Sequence, residues 1–98
     1  ACGTQNPEWQ ISPSELKNRI EDSSLELIAV LPNLQLPFDV HQTIPIQEFD
    51  AKKIKIKSDK TYVMVCQKGF NSYKATKLLK EEYPNANVLN LTGGISAY

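Results

Sequence analysis

One cysteine lies where thiol chemistry is favoured. Residues 62–66, Tyr-Val-Met-Val-Cys, form a short apolar run of β-forming residues, typical of a strand buried on both faces of a parallel sheet. The polar and glycine-containing residues 67–71 follow, and from Ser72 the chain shows a helical apolar stripe at Ala75, Leu78, Leu79 and Tyr83. Cys66 is therefore predicted between the carboxyl end of a strand and the amino end of a helix. That crevice binds ligands in open α/β sheets, and the free N–H groups of the helix favour an anion.

The residues after Cys66 suit a reactive thiolate. A helix amino end and a nearby lysine, here Lys68, both favour the thiolate, the form in which cysteine is a nucleophile. Gly69 permits positive φ, so the loop can curl with its N–H groups pointing inward. On this interpretation Cys66 is alkylated much faster than Cys2. The alternative is that Cys66 is a small apolar residue closing a buried strand.

Three segments of the sequence resemble one protein family. Residues 66–72, Cys-Gln-Lys-Gly-Phe-Asn-Ser, resemble the active loop C-x-x-G-x-x-S of rhodanese-type sulfurtransferase domains. Residues 44–46, Ile-Pro-Ile, resemble the family's N-I-P-L segment, and residues 91–98 resemble its closing L-x-G-G-x-x-A-W. The motifs occur in the family's order and, with the spacing between them, cover about residues 11–98.

The resemblance implies a function for the loop. Cys66 would be the catalytic residue, which accepts sulfur as a persulfide and passes it to an acceptor. The rest of the loop would bind substrate: Gln67, Lys68, Gly69, Phe70, Asn71 and Ser72. No metal is implied.

The sequence also departs from the family pattern. Residues 29–31 are Ala-Val-Leu where rhodanese domains usually carry D-V-R, so the customary acid and base are replaced by Ala29 and Leu31. The segment 33–43 looks shorter than usual, and His41 does not match the family's common histidine. Because nothing pairs His41 with Cys66, we interpret it as a surface loop histidine. These departures bear on substrate recognition.

Three other functions compete with sulfur transfer as explanations of this loop. A phosphatase of the cell-division-cycle type has a similar loop that is one residue longer and ends with arginine, whereas no arginine follows Arg19 here. A thioredoxin-type redox domain needs a second cysteine two or three positions from Cys66, and none occurs. A catalytically silent rhodanese-like binding module remains an alternative, because Ala29 and Leu31 replace the usual acid and base.

Length and composition favour one soluble domain. At 98 residues with zero net charge, the chain is long enough for a single core. No apolar run approaches the ~18 residues of a membrane helix, and the start lacks the layout of a signal peptide. Cys2 and Cys66 are predicted to be free thiols, which favours a reducing, cytoplasmic location.

Charge is distributed unevenly along the chain. Residues 1–50 hold eight acids and two bases, while residues 51–98 hold three acids and nine bases. The lysines of α-helical spacing in the basic half are best explained as the solvated face of a helix, and the alternative is that they draw anions toward Cys66. Arginines and aromatic residues are not interleaved among these lysines, so we expect no direct nucleic-acid binding. Because no apolar run is long enough for a membrane helix, we also expect no membrane partner.

Residues 1–10 are predicted to be a linker or tail, followed by the rhodanese-like domain at 11–98. The opening Ala-Cys-Gly-Thr resembles the tail of the adenylating domain in ubiquitin-activating-type enzymes that carry a rhodanese domain behind it, although an arbitrary linker explains these four residues equally well. There is no initiator Met, so we expect the chain to be cut from a longer protein.

This second resemblance implies particular partners. They would be a ubiquitin-like sulfur-carrier protein, whose adenylated C-terminus accepts the sulfur, and a sulfur-donor protein. Such enzymes act in tRNA thiolation or molybdenum-cofactor synthesis. The domain itself needs no cofactor on this reading, since ATP and zinc belong to the attached adenylation domain.

Other segments predict the elements around the loop. Residues 11–20 show a helix start, with Ser12 as cap, Pro13 in the first position, Glu15 completing a capping box and Ile11 packing onto Leu16. Residues 25–31 and 87–91 read as strands. Residues 53–57 alternate like an edge strand, whereas the family resemblance implies a short helix and a connection, and both remain open. A turn at 92–94 would open a terminal helix.

Together these patterns predict a single rhodanese-like α/β domain. Its mainly parallel sheet has four or five strands with helices on both faces, connected by right-handed crossovers.

Overall fold

A computed structural model describes residues 9–31, 40, 42–54, 56–57 and 59–98. Five strands and two helices occur in the order β1 (Gln10–Ile11), α1 (Pro13–Arg19), β2 (Leu25–Ala29), β3 (Gln42–Thr43), β4 (Thr61–Val65), α2 (Phe70–Glu82) and β5 (Asn87–Leu91). Cys2, His41 and most of segment 33–43 lie outside the described residues, so the expectations for them stay predictions.

The strands form one parallel sheet. Its order is β1-β5-β4-β2-β3, and every pairing is parallel. β4 lies at the centre, with Val63 opposite Leu27 of β2 and Leu89 of β5. This confirms the predicted α/β fold with its parallel sheet. The two-residue strand β1 was not predicted, and its Gln10, which the sequence placed in the tail, pairs with Asn90.

Side chains of β4 alternate between two cores on opposite faces of the sheet. Tyr62 and Met64 pack in the cluster that contains Leu79 of α2, whereas Val63 packs in the cluster that contains Leu16 of α1. The two helices therefore cover opposite faces, as the continuous apolar character of the strand indicates.

Helix α1 begins as its sequence predicts, with one difference in the cap. The Ser12 hydroxyl accepts the Glu15 backbone N–H at 3.2 Å. Glu15 Oε1 accepts the Ser12 hydroxyl at 3.0 Å, so its carboxylate contacts the capping side chain itself. Ile11 and Leu16 pack in the same cluster.

The segment between β3 and β4 forms two 3₁₀ turns, Ile46–Glu48 and Ala51–Lys53. No described residue of segment 53–57 is in a strand, so the edge-strand interpretation is wrong there and the helical connection is favoured. Two contacts explain this: the Asp50 side chain caps the second turn, and Ile54 is buried under α2, where its carbonyl accepts the Tyr83 hydroxyl.

Three predicted helix features are corrected. α2 begins at Phe70, two residues before the start of the apolar pattern, because Gly69 ends the loop in a left-handed conformation. Leu78 is exposed, and Thr76 occupies the buried stripe instead, its hydroxyl satisfied by the Ser72 carbonyl at 2.8 Å. After β5 a 3₁₀ turn, Ile95–Ala97, replaces the expected terminal helix. Within the described residues, no helix has the length and apolar character needed to span a bilayer.

Candidate active site

Cys66 follows the last residue of β4 and lies at the floor of a pocket. The pocket has a volume of about 230 Å³ and is lined by Leu31, Cys66, Gln67, Lys68, Phe70 and Asn71. It opens at the carboxyl edge of the sheet, where parallel α/β folds bind ligands. Cys66 itself is only 2% exposed, and among the described residues this pocket is the route by which a reagent reaches its sulfur.

Two groups contact the Cys66 sulfur. The Gly69 N–H donates to Sγ at 2.9 Å, and the Ser72 hydroxyl lies 3.1 Å from Sγ. Gly69 has φ +88°, the left-handed conformation that glycine adopts without strain, and this conformation turns its N–H back onto the sulfur. No side chain caps α2, so the amino end of the helix and its positive dipole face the loop.

The structure separates the predicted loop residues into two layers. Four residues form the wall and rim of the pocket, and we call them the outer layer: Gln67, Lys68, Phe70 and Asn71. Gln67, Lys68 and Phe70 are exposed, Phe70 by 71%. Gly69 and Ser72 are buried beneath, against the sulfur. The predicted loop residues are thus brought together around Cys66, and two of them, Gly69 and Ser72, lie within hydrogen-bonding distance of the sulfur.

Asn90 on β5 is a member of the site that the sequence analysis missed. It is fully buried, and the Ser72 hydroxyl donates to its Oδ1. Its Nδ2 donates to the Gly69 carbonyl at 3.3 Å and to Gln10 Oε1 at 3.0 Å. We call Gly69, Ser72 and Asn90 the inner layer. The available signal was an amide inside an apolar strand, because a buried amide needs hydrogen-bond partners.

The glycine turn after β5 supports the loop from behind. The Ile95 N–H donates to the Cys66 carbonyl at 2.9 Å, and the Ser96 N–H donates to the Gln67 carbonyl at 3.0 Å. A Cβ atom on Gly94 would lie 2.5 Å from the Cys66 carbonyl oxygen, and the residue has φ +65°. The sequence predicted only a turn here, whereas the structure shows that this turn packs directly on the backbone of Cys66.

The two departures from the family pattern have different places in the structure. Ala29 is buried at the end of β2 beside Val65, while Leu31 lines the pocket wall. An apolar side chain therefore stands where the family pattern carries a base. Among the described residues that line the pocket, Lys68 has the one charged side chain.

The part of the chain that the structure describes contains no disulfide and no candidate metal site. Cys66 is a free thiol there, and no group of three or more His, Cys, Asp or Glu residues within the described ranges could hold a metal ion.

Solved structures with the same fold include domains alone and parts of larger proteins. A rhodanese homologue from Thermus thermophilus superposes with a TM-score of 0.71 at 25% identity, over 90% of this chain and 98% of that one. The reduced CoADR-RHD protein of Bacillus anthracis has a TM-score of 0.73 at 26% identity, and the match covers 91% of this chain but 16% of that one. An NAD-dependent persulfide reductase from A. fulgidus, at 23% identity and a TM-score of 0.69, matches 93% of this chain and 16% of its own, which shows likeness of fold alone.

Sequence comparison gives the family. No curated protein sequence matches the chain significantly. The sequence-family model of the rhodanese-like domain matches residues 12–98, which include β2, β4, the Cys66 loop and the glycine turn. The chain therefore belongs to the rhodanese-like domain family.

Proposed function

We propose that this domain is a sulfurtransferase in which Cys66 carries the transferred sulfur as a persulfide. The observation that carries the proposal is the position of Sγ, which lies at the floor of an open pocket and accepts the Gly69 N–H at 2.9 Å. A buried thiol with a merely structural role needs neither a pocket above it nor a donor directed at it.

Sulfur uptake is a nucleophilic displacement. With thiosulfate as donor, the Cys66 thiolate attacks the sulfane sulfur, the sulfur–sulfur bond of the donor breaks, and sulfite leaves with the electron pair. The product is a Cys66 persulfide whose terminal sulfur carries the negative charge. Covalent catalysis of this kind divides one difficult exchange into two easier ones.

The site favours the charged states on this route. The Gly69 N–H and the amino end of α2 stabilise negative charge near Sγ, as an anion-binding nest does. Lys68 on the pocket wall attracts an anionic donor. Leu31 adds no charge, so we expect uptake from small anions to be slower than with a base at this position.

We further propose that the acceptor is the adenylated C-terminus of a ubiquitin-like sulfur-carrier protein, as in tRNA thiolation or molybdenum-cofactor synthesis. The persulfide attacks the acyl-adenylate, AMP leaves, and an acyl disulfide forms. A thiol reductant then cleaves this disulfide, which releases the carrier as a thiocarboxylate, and a second thiol restores Cys66. The reductants require a thiol-reducing compartment, such as the cytoplasm.

Two features support a macromolecular acceptor. Phe70 exposes an aromatic ring at the rim of the pocket, where a protein tail would contact it. The opening Ala-Cys-Gly-Thr resembles the end of an adenylating domain, and a tether there would raise the effective concentration of the carrier without tight contacts. The expected shortening of segment 33–43, which would open the same edge, lies mostly outside the described residues.

The test of this acceptor is a reconstituted transfer. Persulfidated domain is mixed with an adenylating enzyme, ATP, a thiol reductant and a ubiquitin-like carrier, and the carrier is weighed by mass spectrometry. We expect sulfur in place of oxygen at the carrier terminus, and none with Cys66→Ser. An unchanged carrier that is nevertheless adenylated would refute this acceptor and leave a small-molecule sulfurtransferase.

A catalytically silent binding module is the second candidate, and one observation favours it. Ala29 and Leu31 place apolar side chains at the positions of the family's usual acid and base. On this account Phe70 and the pocket bind a partner while Cys66 never takes up sulfur. Failure to form a persulfide with any sulfane-sulfur donor would favour this candidate.

A further inference from the structure

The Ser72 hydroxyl stands between two atoms that compete for it. It has one proton, and it lies against both Cys66 Sγ, at 3.1 Å, and the Oδ1 of Asn90. In the structure this proton is directed at Asn90. Since Ser72 then accepts at its oxygen, the thiol of Cys66 is the donor in the contact between the two side chains.

The orientation of the Asn90 amide follows from its neighbours. Its Nδ2 faces two acceptors, the Gly69 carbonyl and Gln10 Oε1, and Gln10 Oε1 also accepts the Thr92 hydroxyl at 2.9 Å. Rotating the amide by half a turn would set its oxygen against both acceptors. Oδ1 is therefore held toward Ser72.

We infer that Asn90 is a positioning residue that controls the protonation of Cys66 through Ser72. While Cys66 is a thiol, its S–H donates to Ser72, and Ser72 donates to Asn90. When Cys66 loses its proton to solvent, the Ser72 hydroxyl turns its own proton to the charged sulfur and leaves Oδ1. No covalent bond to a heavy atom changes, and Asn90 acts as the acceptor that holds the Ser72 proton in the thiol form.

The effect of Asn90 on the protonation of Cys66 can be separated from the effects of charged groups near the sulfur. Lys68 is the one titratable or charged side chain among the described residues that line the pocket. Ser72 on α2, which contacts the sulfur, and Asn90 on β5, which contacts Ser72, are both neutral. Loss of the acceptor at Asn90 should favour the thiolate, because the Ser72 hydroxyl can then donate its proton to the sulfur without losing a hydrogen bond to Asn90. Loss of Ser72 should disfavour the thiolate. A general loosening of the loop removes donors from the sulfur, and so disfavours the thiolate in both variants.

The test follows the rate of Cys66 alkylation by iodoacetamide against pH, read by mass spectrometry. We expect the half-maximal pH to fall in Asn90→Leu and to rise in Ser72→Ala, each by about half a unit to one unit, the equivalent of one hydrogen bond. In the Ser72→Ala background, Asn90→Leu should cause no shift. A midpoint that rises or stays unchanged in Asn90→Leu overturns the inference.

A measurement on the unsubstituted protein covers the case in which Asn90→Leu does not fold. The ¹³Cγ resonance of Asn90 should move across the same pH range in which Cys66 alkylation rises, because Oδ1 loses a hydrogen bond there. A resonance that does not move would overturn the inference as well. The inference rests on the proposed function only in taking Cys66 as the reacting group, and neither measurement needs sulfur transfer, so the two can fail separately.

Discussion

The inner and outer layers of the loop differ in how they are held and in what they can decide. Gly69, Ser72 and Asn90 are buried and joined to one another and to the Cys66 sulfur by hydrogen bonds. The outer layer is largely exposed and lines the pocket that leads to the sulfur. The inner layer therefore determines whether Cys66 can hold a negatively charged sulfur, and the outer layer determines which molecules reach it.

Energetics reinforce this division. Inside the protein an unsatisfied polar group costs about 1–3 kcal/mol, and a steric overlap with backbone cannot relax by moving a flexible side chain. An exposed charge is screened by solvent and contributes about 1 kcal/mol or less. Substitutions in or behind the inner layer should thus have larger effects than substitutions in the outer layer.

The largest loss of stability is expected from Gly94→Ala, because its new methyl group would overlap the backbone that supports the inner layer. The new Cβ would overlap the Cys66 and Gln67 backbone at 2.5 Å, at a φ that alanine rarely adopts. Backbone strain alone costs about 1–3 kcal/mol, and the overlap adds to it. Urea denaturation should show this loss of stability, together with reduced alkylation of Cys66.

Ser96→Ala is the control for Gly94→Ala, because Ser96 lies in the same turn but is exposed. Its free energy of unfolding should change by about 0.5 kcal/mol or less. Equal stability of the two variants would mean that the glycine turn does not hold the loop in place.

A smaller effect is expected from Ser72→Ala, which removes one contact to the sulfur. Hydrogen bonds to charged groups are worth about 1.5–3 kcal/mol, so sulfur uptake from thiosulfate should slow roughly tenfold to hundredfold. Stopped-flow measurement of sulfite release checks the rate. An unchanged rate in a folded Ser72→Ala protein would show that the charged sulfur does not depend on this hydroxyl.

The smallest effect is expected from Lys68→Ala in the outer layer. Loss of one exposed charge should raise the barrier to sulfur uptake from thiosulfate by about 1 kcal/mol at low salt, roughly fivefold in rate, and leave the fold intact. Lys74→Ala removes a comparable exposed charge from α2 outside the pocket lining and should have little effect. If the two variants match at low and at high salt, Lys68 plays no part in drawing the donor.

The sequence predicted the elements that depend on local patterns. The apolar run at 62–66 and the glycine at position 69 placed Cys66 between β4 and α2, because strand periodicity and loop chemistry are local properties. The alternation at 53–57 wrongly predicted a strand, because the backbone of this segment depends on tertiary contacts. Tertiary burial of Ile54 and the cap by Asp50 decide the backbone there, and neither is visible in a period-two pattern.

Only part of the inner layer could be predicted from the sequence. Gly69 and Ser72 follow from the loop motif, but Asn90 is 18 residues from Ser72 in the chain, and it meets the loop because β5 lies beside β4. The same holds for Gly94, whose contact with the Cys66 carbonyl requires the turn after β5 to fold back over the loop. Contacts between neighbouring parallel strands need the sheet order, which motifs alone do not supply.

Persulfide formation tests the central claim most directly. The reduced protein is incubated with thiosulfate, freed of excess reagent, and weighed intact and after digestion. The account predicts a gain of one sulfur atom on Cys66 that is removed by cyanide as thiocyanate, and no gain in Cys66→Ser. A protein that stays unmodified with thiosulfate and with a polysulfide donor, while Cys66 still reacts with iodoacetamide, would contradict sulfur transfer by this domain.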